Sequence, residues 1–266
     1  LAEVNDGTSK PMSLPFHSRE DTVMIFSGDK SKSQFYQVTR KNLFLVSPNS
    51  REAIRLWNLP RWVEQNSSDY GEIKNSPFTD GALTNECLIL SVNRFLFIFR
   101  INSSQGDEMK PRSVHILDDE VTKILALHDN LVAVFTWDGL LRIFEIRSDA
   151  SHDQIELRFL VAHETSATSQ TLALPCLCGG RRGSVIVSPT KEGHLHIMMV
   201  SPAVDDSLKI RTIYRRMWVT QEELICSLIQ KPDFETSHEV LVISSETNSI
   251  LKVEKNITLK DDAIAS

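Results

Sequence analysis

His194 and His196 stand two apart in the stretch Glu192-Gly-His-Leu-His-Ile197. On a strand, that spacing turns both imidazoles to one side, as two ligands of a zinc ion would be. A third ligand and a fourth or open position must then come from elsewhere, and nothing local supplies them. The simpler reading is a pair of ordinary strand histidines. Gly179-Gly-Arg-Arg-Gly-Ser184 has the glycines of a phosphate cradle but lacks its Gly-Lys-Ser/Thr ending, and it precedes a strand-like run, not a helix. It reads as a Gly-rich turn whose Arg181 and Arg182 suit an acidic partner. Asp118-Asp119-Glu120, Asp205-Asp206 and Asp261-Asp262 lie in polar stretches and read as solvated turns. The paired carboxylates of a glycosidase stand about 5–9 Å apart across a pocket, and no such arrangement is legible. No Gly-x-Ser-x-Gly elbow occurs. Trp62 in Pro60-Arg-Trp-Val-Glu-Gln65 and Trp137 beside Asp138-Gly139 are the aromatics expected at the surface, where a ring can anchor a partner. The expectation is no catalytic residue, no metal and no cofactor, with Trp62, Trp137, Arg181 and Arg182 contacting partners.

Those residues need a frame. The chain has 266 residues, 41% hydrophobic and 24% charged, which is ample apolar surface for a core. One all-β domain of roughly 200–250 residues is ordinary, so the length does not demand two. The formal net charge of −6 disfavours a nucleic-acid-binding surface, which carries a basic excess. Cys87 and Cys226 sit in apolar runs, and Cys176 and Cys178 are too close in sequence for an unstrained disulfide, so a reducing, intracellular setting is expected. No apolar run approaches the ~18 residues of a membrane span. Three sequons, at Asn66, Asn102 and Asn256, are read as chance matches. A flexible segment over 1–20 and a tail over 261–266 flank the main domain at 21–260.

The main domain repeats. Ile54-Arg-Leu-Trp57, Leu96-Phe-Ile-Phe99, Leu141-Arg-Ile-Phe144, Leu195-His-Ile-Met198 and Ile250-Leu-Lys-Val253 recur at offsets of 42, 45, 54 and 55 residues. Each follows an apolar run and a short polar turn. The runs are rich in Val, Ile, Leu and Phe and too short for typical helices, so each pair predicts a hairpin. Asp138-Gly139 and Glu192-Gly193 supply the positive φ that tight turns need. The runs are apolar almost continuously, as strands buried on both faces are. Val121–His128 and Leu224–Asp233 each precede a hairpin, and Ile155–Val161 and Leu208–Arg216 each follow one, which makes four-stranded units. A rival reading makes Thr220-Gln-Glu-Glu223 a capping box leading a helix through Leu224, Ile225, Leu228 and Ile229. The stretches Arg147–Ser169 and Ser201–His238 exceed ordinary hairpin loops.

This pattern resembles the WD-repeat β-propeller family. The nearest copy is Leu43–Leu59, with Trp57 at the tryptophan position and Asn58 where the family has Asp. Leu224–Asp233 is similar to the family's inner strand and its Pro-Asp turn. Other copies depart, with Phe99, Phe144, Met198 and Val253 at the tryptophan position and no Gly-His pair opening any unit. The family's His-Ser-Trp hydrogen-bond network is therefore not carried over. Arg181-Arg182-Gly183 is similar to the motif of phosphoinositide-binding propellers, but there a whole inner strand follows it, whereas here Ser184 opens a hairpin at once. The resemblance implies an all-β fold, a β-propeller of four-stranded blades. Five hairpin units are visible. Six or seven blades are reached if divergent ends such as Asp21–Phe26 and Asn256–Lys260 pair, or if further or partner sequence completes the ring.

The function expected is a non-catalytic protein–protein interaction scaffold, one propeller subunit of an intracellular, hetero-oligomeric complex in the nucleus or cytoplasm. Ubiquitin-ligase receptors, nuclear pore or coat subunits, and chromatin or RNA-processing assemblies all fit. Two alternatives stand beside it. One is a propeller hydrolase with His115, His128, His194 or His196 at a central channel. The other is a phosphoinositide-binding membrane adaptor using Arg181, Arg182, Arg215 and Arg216.

Overall fold

The computed structural model describes residues 20–28, 34–47, 52–101, 108–127, 130–149, 154–165, 175–178, 184–189, 194–202, 208–217, 225–230, 239–244 and 248–252. The sequence-level expectation of an all-β chain of successive four-stranded sheets holds. β1 (Thr22–Ser27), β2 (Phe35–Thr39), β3 (Asn42–Ser47) and β4 (Glu52–Asn58) form one sheet. β5 (Asp80–Leu83), β6 (Cys87–Val92), β7 (Phe95–Arg100) and β8 (Ser113–Ile116) form the next. β9 (Val121–Ala126), β10 (Leu131–Thr136), β11 (Leu140–Asp149) and β12 (Gln154–Glu164) form the third, and β13 (Cys176–Cys178), β14 (Ser184–Pro189), β15 (His194–Pro202) and β16 (Leu208–Met217) the fourth. Among the described residues the fifth has three strands: β17 (Ile225–Gln230), β18 (Glu239–Ser244) and β19 (Asn248–Lys252). Strand order follows chain order throughout, with antiparallel neighbours. The stretch read alternatively as a helix is β17, because Ile225, Leu228 and Ile229 are β-branched or apolar and pair with β18.

The chain divides into two compact units. The first comprises Leu1–Val121 with Arg147–Glu156, the second Thr122–Ile146 with Leu157–Ser266. In the first, β6 is buried at every position, so its continuous apolar run does mark a strand covered on both faces. Leu43, Leu45, Trp57, Leu88, Leu90, Phe97 and Phe99 are among the side chains that make one core between its two sheets. Gly81 permits that approach. A Cβ there would lie 2.8 Å from the Ile89 carbonyl oxygen and 3.1 Å from the Phe26 ring. In the second unit, Ala133, Phe135, Leu141 and Ile143 pack with Ile186, Met198 and Val200.

Three features differ from the sequence reading. The hairpin over Leu43–Leu59 forms, but as strands three and four of its sheet; in the other sheets the repeated hairpin is strands two and three. β2 supplies the extra strand through a turn at Arg40-Lys41, which carries no Gly or Asn to announce it. Asp21–Phe26 contributes β1, which pairs with β2, whereas Asn256–Lys260 lies outside the described residues. The third is a helical insert, α1 (Leu59–Gln65), α2 (Ser67–Tyr70) and a 3-10 turn (Gly71–Ile73). Asn58 starts it: its side-chain oxygen accepts from the Arg61 amide at 2.9 Å, and Pro60 in the first turn has no N–H that needs an acceptor.

Candidate functional site

The β10–β11 turn is a short loop whose residues are cross-tied. Gly139 takes φ 79°, which glycine adopts without cost, and its amide donates to the Thr136 carbonyl at 3.0 Å. The Asp138 Oδ1 accepts from the Thr136 hydroxyl at 2.5 Å and from the Leu140 amide at 3.0 Å. Its Oδ2 accepts from Arg142 at 3.0 Å, and the same guanidinium donates to the Thr136 hydroxyl oxygen. From the end of β12, the Thr165 amide and hydroxyl both donate to the Gly139 carbonyl, each at 2.8 Å. Partial burial works to raise the Asp138 carboxyl. The bonds from Arg142, Thr136 and Leu140, with the Arg142 charge, outweigh that and hold it below its ordinary range. Arg142 and Thr136 are themselves buried.

Trp137 sits in this turn with 43% of its surface exposed. The backbone on both sides of it is pinned, so docking at Trp137 orders little backbone. Trp62 is placed differently. It lies on α1, half-buried, with its ring 4.8 Å from Tyr70, 5.2 Å from Phe97 and 6.1 Å from Trp57 between centroids. It fastens the helical insert to the core. Arg61, Glu64 and Gln65 around Trp62 are charged or polar, which suggested exposure; α1 turns Leu59 and Val63 inward with it.

Arg181 and Arg182 lie outside the described residues, as does His128. His115, on β8 in the first unit, pairs with Leu96 and is half-buried; burial lowers its pKa against a smaller opposing pull from Glu156. His194 and His196 belong to β15 in the second unit, facing Met217 and Arg215 across the ladder. Arg216 pairs with Leu195, so Arg215 and Arg216 lie along one edge strand. Among the described residues no group of three or more His, Cys, Asp or Glu side chains is placed to hold a metal ion. No described helix is long and apolar enough to cross a membrane. The Arg142, Thr136 and Thr165 network was missed in the sequence, because its partners come from three separate strand ends.

Successive antiparallel sheets packed face to face within each unit define a class, and solved structures share it. No protein-family model matches the chain, and no curated protein does. The β-propeller domain of Myceliophteria thermophila Cps50 (Swd1) superposes with a TM-score of 0.60 at 15% identity, over 89% of this chain and 71% of that one. The WD40 domain of SCAP from fission yeast gives 0.59 at 11% identity, over 90% of this chain and 51% of that one. Kluyveromyces lactis Hsv2 gives 0.54 at 12% identity, over 89% and 63%. The fold is therefore that of a β-propeller, and the chain spans between half and seven-tenths of the length of these three structures.

Proposed function

We propose that the chain is a protein-interaction scaffold, a propeller subunit of a hetero-oligomeric complex, and that Trp137 at the β10–β11 turn is its principal anchor. The observation that carries this reading is the exposed Trp137 indole in a turn whose Asp138 and Gly139 are hydrogen-bonded to Arg142 and Thr165. Interface energy concentrates in such aromatic residues. Arg181 and Arg182 are the second contact, for an acidic segment of the partner. An intracellular site, nuclear or cytoplasmic, fits the buried free thiol of Cys87.

The test is affinity purification of the full chain from its native cells, alongside Trp137→Ala. The reading expects defined stoichiometric partners, lost with Trp137→Ala while the thermal midpoint stays within a degree or so. A chain recovered alone, or partners retained at full yield by the variant, contradicts it. The membrane alternative has its own arm: flotation with anionic vesicles, abolished by Arg215→Glu with Arg216→Glu, would replace the scaffold reading.

A further inference from the structure

We propose that Ser148 is a phosphorylation site and that Arg100 receives its phosphoryl group. β11 passes into the first unit at Arg147, and there the guanidinium of Arg100, at the end of β7, donates to the Ser148 hydroxyl oxygen. Ser148 is exposed, and so is Arg147 beside it. Thr136 also takes a guanidinium, but it is buried and its hydroxyl is spent on Asp138, so no kinase reaches it. Ser148 lies one residue from the end of β11, where local opening costs least.

In transfer from a nucleoside triphosphate by a protein kinase, the Ser148 Oγ attacks the γ-phosphorus. The Oγ–P bond forms as the bond from that phosphorus to the β,γ-bridging oxygen breaks. The nucleoside diphosphate leaves with the electron pair, and the hydroxyl proton passes to a kinase carboxylate. The product carries about −2 at neutral pH and three acceptor oxygens where one neutral hydroxyl stood. Arg100, already at the Ser148 hydroxyl, then makes a charge-assisted contact with the phosphate. Asp149 follows Ser148 in the chain, and Glu86 precedes Cys87, which is Arg100's ladder partner, so Arg100 is the cation that must carry the phosphate against both. The phosphate thus pins the Arg147–Asp149 segment to the end of β7 within the first unit.

The experiment compares the full chain with and without genetically encoded phosphoserine at position 148, each with and without Arg100→Gln. Phosphorus NMR titration should show the phosphate's second pKa below its ordinary value near ~6, and the thermal midpoint should rise by roughly 2–4 °C. Both effects should vanish with Arg100→Gln, and Arg100→Lys should restore part of the pKa shift. A phosphate with the same pKa and the same midpoint with and without Arg100 overturns the proposal. In chain purified from native cells, the tryptic peptide Ser148–Arg158 should carry phosphate on Ser148. Phosphate confined to Ser151, or none, overturns the modification itself.

Discussion

Asp138 decides whether the β10–β11 turn keeps its shape. Replacing it with Ala leaves the buried Arg142 guanidinium without its carboxylate, and the expected loss is about 1–3 kcal/mol in urea unfolding. The pH dependence follows from the direction of its shift. The folded carboxyl titrates below its ordinary value of 3.8, so its stabilisation is complete above that value and fades as acid titrates the folded group. Asp138→Asn should therefore flatten the acid side of the stability profile, leaving pH 7 to 8 parallel to the parent. Cys87 offers a second check. Burial first, then the neighbouring Glu86, push its thiol up to about 11 against the pull of Arg100. Native protein at pH 8 should take up iodoacetamide at Cys87 far more slowly than denatured protein, read by mass spectrometry of the peptide. At this scale the sequence was partly legible. Asp138-Gly139 announced the turn and its exposed Trp137. Arg142 and Thr165 carry no local mark of their roles, because a strand arginine and a strand-end threonine look alike whether or not they face the same carbonyl or carboxylate.

Among elements, the packing of β5 against β1 and β6 rests on Gly81. Gly81→Ala puts a methyl 2.8 Å from a backbone oxygen that cannot swing away, and about 1–3 kcal/mol of stability should disappear. The calorimetric midpoint reads it directly. Trp57 sits with Trp62, Phe78, Phe97 and Phe99 at centroid distances of 6.1, 5.9, 5.3 and 5.0 Å, so Trp57→Ala should cost about 3–5 kcal/mol. The repeat made the hairpins legible, since apolar runs broken by polar turns have few other solutions. It did not place the first hairpin within its sheet. Pro48-Asn49 reads as a turn in the sequence, while Arg40-Lys41, which joins β2 to β3, looks like a solvated charge pair. The insert at Leu59–Ile73 also escaped, although Asn58 followed by Pro60 is a helix start; a seven-residue helix is too short to show a periodic apolar face.

At the scale of the molecule, rigidity is what a scaffold needs, and its distribution is measurable. Every side chain of β6 and all but Arg100 of β7 are buried, so their amides should exchange with solvent slowest, while the exposed face of α1 and α2 exchanges soonest. The propeller class was legible because five similar units of hydrophobic run, turn and hydrophobic run leave few alternatives to stacked sheets. Blade number was not, since the first sheet borrows a strand that the repeat pattern assigns to no unit. The central claim is that the exposed Trp137 indole, on the tied β10–β11 turn, anchors a protein partner. Its most direct measurement is the dissociation constant of the co-purifying partner for the parent chain and for Trp137→Ala, at equal folded stability. The scaffold account predicts weakening of about 30-fold or more, the range of an interface hot spot. Equal dissociation constants for the two chains would contradict it.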